Sequence, residues 1–278
     1  MTASKNRIIH IILQVALIAF AIVQFYPLVW LGLTSFKSNM EITGSNIIGL
    51  PAKWLWSNYD YSIFKMHIGR NFANSLFYTL ATVIASTVLS AMVSFAIVRM
   101  KWKFSKPVLT YFMLGMMIPV HATLLPVFLL LKQTSLLDSP WALIIPYTVN
   151  ALPGTIFILV GFFSAIPREL EESSIVDGCN IYQVFYSIML PLIKPAIVTT
   201  AIFTFLSAWN ELMFAVTFIN DPKLSTITVA INSLQGIYSS PHGAIAAGMV
   251  VATLPTIVVY LLMSKHVQKG LLAGAVKG

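Results

Sequence analysis

PRELEESSIVDGCNIYQVFYSIMLPLIKP, residues 167–195, interrupts an otherwise water-averse chain. Only 9% of the 278 residues are charged and 58% are hydrophobic, yet four of the nine acids, Glu169, Glu171, Glu172 and Asp177, fall in this one stretch. Its local signals predict two consecutive short helices. Pro167 suits a first helical position, and the three glutamates lie in the opening turns, where the helix dipole favours carboxylates. Gly178 is placed to end that helix in a left-handed cap. Asn180 is a good N-cap with Gln183 three residues on, a variant of the capping box. Tyr182, Phe185, Tyr186 and Met189 then recur at helical spacing, Ile181, Val184 and Ile188 fill another face, and Pro191 is expected to end the run. A surface apolar on more than one side needs a partner, either its own bundle or another subunit.

The remainder of the chain says what kind of bundle this is. A soluble domain is about 25% charged, so the composition excludes an ordinary globular protein, and equally a disordered chain or a disulfide scaffold. The single cysteine, Cys179, cannot form an internal bridge, and no Cys/His cluster has zinc spacing. A helix needs about 20 apolar residues to cross a bilayer. Six stretches qualify, 8–33, 72–98, 108–131, 141–166, 196–219 and 244–263. None alternates with period two, so the expected fold is all-α, one membrane domain over 1–278 with six transmembrane helices.

Six spans place both termini on one side. That side carries 11 of the 17 Lys and Arg residues and the other side 6. The short basic loop 99–106, with Arg99, Lys101, Lys103 and Lys106, makes the terminal side cytoplasmic by the positive-inside rule. The net charge of +8 then reads as orientation and lipid contact rather than nucleic-acid binding, since no basic stripe is interleaved with aromatics. The first span is too long for a signal-peptide core and reads as an uncleaved anchor, with Trp30, Trp54 and Trp56 flanking its outer end.

Glu211 is the single charge inside a span, and a mid-membrane carboxylate costs about 2.5–3.5 kcal/mol. Two readings stand: with Trp209 and Asn210 it lines a path or holds a gate, or it is a structural group hydrogen-bonded across helices. Asn150, His121, Gln24 and Tyr147 read as interhelical hydrogen-bonding groups. Prolines 27, 119, 126, 146, 153 and 255 are expected to kink the spans. The outer loop 220–243 reads either as a plain connection or as a projection toward a partner.

The wording of the polar stretch resembles one motif. Glu172-Ser-Ser-Ile-Val-Asp-Gly178, then nine residues, then Ile188-Met-Leu-Pro191, is similar to the EAA loop of the permease subunits of ABC importers, with serines at 173 and 174 in place of the two alanines. The resemblance covers most of the chain. Phe36-Lys37 with Glu41, Asn58-Tyr59, and Asn71 to Ser75 look like the region after the first span in carbohydrate-importer permeases. Ala208-Trp209-Asn210-Glu211 looks like their fifth core helix, and the tail 270–278 like that of the second permease of maltose-type importers.

The resemblance implies a type I importer permease fold in which 167–195 is a coupling-helix loop seated on an ATP-binding subunit. Glu172, Ser173, Ser174, Asp177 and Gly178 would lie at that contact, Leu190 and Pro191 would fix the loop to the fifth span, and the tail after Lys265 would touch the ATPase. The implied partners are a second permease, two ATPase chains and an extracytoplasmic solute-binding protein, in a bacterial inner membrane. The implied cargo is a carbohydrate, either an oligosaccharide or a related polyol such as glycerol phosphate. The chain has no Gly-x-x-x-x-Gly-Lys-Ser/Thr, so ATP and Mg²⁺ are expected on the partner subunits, and no catalytic, cofactor or metal group is proposed for this chain. A stand-alone secondary transporter would need internal repeats, which the two halves lack. A membrane-embedded enzyme would need a catalytic grouping at a membrane end, and a channel a filter segment; neither presents itself.

Overall fold

The computed structural model describes residues 2–44, 46–100, 102–234 and 241–275. The described residues form helices and no strand. In chain order the helices are α1 Thr2–Thr34, α2 Asn39–Thr43, α3 Ser57–Asp60, α4 Ile68–Arg99, α5 Ser105–Gly115, α6 Leu124–Gln133, α7 Trp141–Ala165 and α8 Glu169–Val176. There follow α9 Ile181–Gln183, α10 Leu190–Leu192, α11 Lys194–Trp209, α12 Met213–Phe218, α13 Ile227–Ser233 and α14 His242–Ala275. The chain divides into two compact units, Met1–Gly69 with Ile231–Leu254 and Arg70–Ala230 with Pro255–Gly278.

Four helical stretches are each long and apolar enough to span: Ile9–Thr34, Ile68–Arg99, Trp141–Ala165 and His242–Leu262. The other two expected spans are not straight helices. The 108–131 stretch is split between α5 and the helical run Val120–Gln133, bent by 93°. Pro119 adopts extended backbone at the break, and as a proline it has no N–H to continue the α-helical ladder. The 196–219 stretch ends as a helix at Trp209 and resumes at Met213. Pro191 does not end the second helix of the 167–195 stretch either. The run Ile181–Leu192 passes through it and meets α11 at 74°, because a π-helical segment, Val184–Met189, displaces the backbone ladder just ahead of the ring.

In the first unit, the most apolar window of α1 buries nothing against the rest of the chain, so its side chains are left for lipid or for another subunit. The segment after it is folded, not a slack loop. Lys37 is fully buried, and its Nζ donates to Asn46 O and Ile47 O at 2.8 and 2.9 Å. Ser38 and Glu41 form a capping box on α2. Asn58 Nδ2 donates to Ser35 O and Lys37 O. Gly243 packs so closely here that a Cβ would collide with Lys37 O and Asn58 Nδ2.

In the second unit, α4 and α7 form the frame. One face of α4 carries Ser75, Thr79, Thr82, Ser86, Ser90 and Ser94, all buried, at three- and four-residue spacing. Small polar residues let helix backbones approach where lipid offers no hydrophobic drive; Ser94 Oγ reaches Ile156 O of α7 at 3.4 Å. Two apolar clusters flank this frame. One joins Tyr78, Leu143 and Tyr147 to Phe214 and Phe218. The other joins Ala91, Phe95, Leu159 and Phe163 to Val184, Phe185, Met189 and Ile193. The apolar helix of the 167–195 stretch is thus packed into its own bundle.

Candidate functional site

The 167–195 segment keeps its local signals. The first helix begins at Glu169, two residues after Pro167, with Glu169, Glu171 and Glu172 in its first turn. Gly178 has φ +86°. Its N–H donates to Ile175 O and the Cys179 N–H to Ser174 O, each at 3.0 Å, which is the paired ending of a Schellman motif. Asn180 Oδ1 accepts from Gln183 N–H at 3.0 Å, and Gln183 Oε1 from Asn180 N–H at 2.8 Å. Both caps are made within four residues of sequence, so α8 ends and α9 begins with few orphan backbone groups.

Around this rigid corner the side chains divide by face. Glu172, Ser173, Ile175, Val176, Asp177 and Gly178 are exposed. Ser174 is buried, at 8% exposure, and its hydroxyl bonds back to Leu170 O. The serine pair therefore splits, and only Ser173 is available to an outside surface; Ser174 is small because it packs inward. Leu190 lies against the second apolar cluster, and the exposed Pro191 follows it.

Arg99 belongs with this segment, although the sequence showed it only as one of several orienting charges. It is 7% exposed. Its Nη2 donates to Phe163 O, and to Ile166 O at 2.7 Å, while Nη1 lies 3.6 Å from Glu171 Oε2. Nothing in the spacing of residues 99, 163 and 171 announces the contact.

The second site surrounds Glu211. The break between α11 and α12 frees backbone N–H groups, which is tolerated at membrane depth only where protein or a water-filled cavity meets them. Glu211 meets them itself. Its Oε1 accepts from Phe214 N–H at 2.9 Å and its Oε2 from Ala215 N–H at 3.1 Å. The Tyr147 hydroxyl of α7 donates to Oε2 at 2.8 Å. Thr228 Oγ1 donates to the Glu211 carbonyl at 2.9 Å. The carboxylate is thus a satisfied structural group bonded across helices, as one of the two readings held, and it also faces a cavity.

That cavity encloses about 260 Å³, and its polar lining includes Tyr147, Asn150, Thr155, Thr204, Ser207 and Glu211. Phe203, Ile158 and Phe214 supply apolar wall. The lining thus mixes hydroxyls, an amide and a carboxylate with flat apolar faces. A neighbouring cavity of about 790 Å³ shares Val120, Asn150 and Gly154 and opens along the α5–α6 break. Trp209 and Asn210 do not join Glu211 on this wall. Trp209 is 2% exposed, stacked on Phe205 at 5.7 Å and edge-on to Phe72 at 5.4 Å. Asn210 folds back on the helix end: its backbone N–H and its Nδ2 both donate to Leu206 O, at 3.3 and 2.8 Å. Asn150 and Tyr147 are placed at the cavity; Gln24 is exposed on α1, and His121 meets the Phe214 ring edge-on at 6.2 Å. Among the described residues no group of His, Cys, Asp or Glu is arranged for a metal.

The stretch 220–243 is partly helical, with α13 inside it and α14 starting at His242; residues 235–240 lie outside the described ones, as do 276–278 of the tail. Asp138 ties the start of this stretch to the α6–α7 turn. Its carboxylate accepts from the Asn220 and Asp221 N–H groups, which hold its pKa below the usual value.

Comparison with known proteins places the chain in a family. The chain is 31% identical over 253 residues to the diacetylchitobiose uptake system permease protein DasC of Streptomyces coelicolor, covering 91% of this chain and 92% of that one. It is 29% identical over 273 residues to the trehalose/maltose transport system permease protein MalG of Thermococcus litoralis, covering 97% of each. In fold it matches a chain of a bacterial ABC transporter involved in the import of the acidic polysaccharide alginate, with TM-score 0.85, 22% identity, and coverage of 94% of this chain and 97% of that one. Residues 86–272, which hold the broken helices, the capped 167–195 corner and the Glu211 cavity, match the family model of binding-protein-dependent transport system inner membrane components, and the chain belongs to that family of importer permeases.

Proposed function

We propose that this chain is the permease subunit of an ATP-driven importer for a carbohydrate, an oligosaccharide or related polyol, and that it works as one permease domain over 1–278. A second permease completes the translocation path, two ATP-binding subunits supply energy, and an extracytoplasmic solute-binding protein delivers the cargo. ATP and Mg²⁺ belong to the ATPase subunits. The basic loop 99–106 and the termini face the cytoplasm.

The observation that carries this reading is the doubly capped corner at Gly178. It presents Glu172, Ser173 and Asp177 outward on α8 while the following run is locked by Phe185, Met189 and Ile193 into the bundle. Such a corner moves as a rigid body, so an ATPase surface gripping α8 shifts α11, and with it the Glu211 cavity. ATP binding then favours one arrangement of the spans, which is coupling in the thermodynamic sense. Leu190 and Pro191 fix the corner to α11, and Glu211 lines the path.

The test is co-purification and transport. The chain co-expressed with its companion permease and ATPase should capture the ATPase, and Gly178→Arg should abolish capture or uncouple transport. Uptake of labelled oligosaccharide into proteoliposomes should require ATP and all subunits. Full uptake by this chain alone, without ATP, would overturn the reading.

A further inference from the structure

We propose that Arg99 is a positioning residue that clamps α8 to the ends of α4 and α7, so that movement of the 167–195 corner reaches the membrane helices through one guanidinium. The proposal rests on the coupling role given to that corner above.

The geometry is specific. Arg99 is the last residue of α4. Phe163 and Ile166, whose carbonyls it takes, lie in the last turn of α7 and just past it; Phe163 O also accepts the Ile166 N–H, and a cation there meets the negative end of the dipole. Glu171, its ion-pair partner, is in the first turn of α8. Three elements therefore converge on one side chain. Only residues 166–168 join α7 to α8 in the chain, and at its far end α8 is capped onto the run packed in the second apolar cluster; the guanidinium adds a direct tie at the start of α8.

The neighbouring acids confirm a division of roles. The Glu171 side chain is 14% exposed in the ion pair, whereas Glu172 is exposed and available to the ATPase. One turn before Arg99 on α4, Phe95 contacts Phe163 at 5.9 Å and Phe185 at 5.0 Å between ring centroids. The clamp and the apolar cluster thus act on the same helices from the same face of α4. An orienting charge has no need of burial, and a lysine could not serve two carbonyls and a carboxylate with one planar fork.

The experiment uses the assembled complex in nanodiscs, with Cys179→Ser and nitroxide labels at Val176→Cys on α8 and Phe157→Cys on α7. Distance distributions are measured by double electron–electron resonance without nucleotide and with Mg·ATP trapped by vanadate. With Arg99 present the distribution should stay narrow in both states. Arg99→Gln should broaden it at least twofold in the trapped state while the ATPase still co-purifies. Arg99→Lys should broaden it part way, and adding Glu171→Gln to Arg99→Gln should broaden it no further. An unchanged width in Arg99→Gln, or additive broadening in the double variant, overturns the clamp. If Arg99→Gln fails to assemble, Arg99→Lys and Glu171→Gln carry the same comparison. ATPase capture and ATP-coupled transport that both survive Gly178→Arg overturn the coupling role itself; either one lost there with an unchanged width in Arg99→Gln overturns only the clamp.

Discussion

The Tyr147 hydroxyl donates to Glu211 Oε2 at 2.8 Å, joining the middle of α7 to the break between α11 and α12. The same carboxylate accepts the Phe214 and Ala215 N–H groups in the first turn of α12, so it ties α7 to the start of α12. A hydrogen bond to a charged group contributes about 1.5–3 kcal/mol, and each buried donor left unpaired costs about 1–3 kcal/mol. Tyr147→Phe should therefore destabilise the purified complex least, Glu211→Gln more and Glu211→Ala most, in thermal unfolding. Transport should fall in the same order. Equal stability of Tyr147→Phe and Glu211→Ala would show that the cap does not hold the break.

Gly178 offers a separation of backbone from surface. With φ +86°, any L-residue there is strained, but a Cβ would meet nothing within 4 Å. Gly178→Ala should cost about 1–2 kcal/mol through the left-handed backbone alone and leave the ATPase contact in place. Gly178→Arg carries the same backbone cost plus bulk on the exposed face. ATPase capture measured for both variants should separate them; equal loss would place the whole effect in the turn.

The outer segment should respond to acid. Backbone donation from Ala52 and Ser38, with the Ser38 hydroxyl, lowers the Glu41 pKa from 4.5 to about 2. A folded-state pKa below the unfolded one stabilises above the unfolded value and is lost as pH falls through the folded value. The contribution is thus full above about pH 4.5 and fades toward about pH 2. Protection of the Ser38 and Ala52 amides, measured against their intrinsic exchange rates at each pH, should fall over that window, and Glu41→Gln should remove the step.

Two glycines should behave in opposite ways. Gly243→Ala drives a Cβ into the Asn58 side-chain amide and into the Lys37 carbonyl, the second of which is backbone and cannot rotate aside. Overpacking of this kind costs about 1–3 kcal/mol. Gly161, inside α7, has nothing within 4 Å of a Cβ, and Gly161→Ala should stabilise by about 0.5–1 kcal/mol through helix propensity. Melting temperatures of the two variants in one detergent test the contrast.

The amino-acid sequence by itself determined the membrane class, the six apolar stretches and the capped corner at Gly178 and Asn180. Those features depend on composition or on bonds closed within a few residues, so the sequence carries them whole. Hydropathy has no sense of backbone direction, and for that reason the 108–131 and 196–219 stretches read as plain spans while Pro119 and the Asn210–Leu212 break turn the chain inside them. Tertiary structure alone decided which polar groups meet. Tyr147 and Glu211 stand 64 residues apart, as do Arg99 and Phe163, and only the packing of α7 against α11 and α12, and of α4 against α7, brings each pair together. It also buried Trp209 and Ser174, since a side chain's face depends on neighbours no local pattern names.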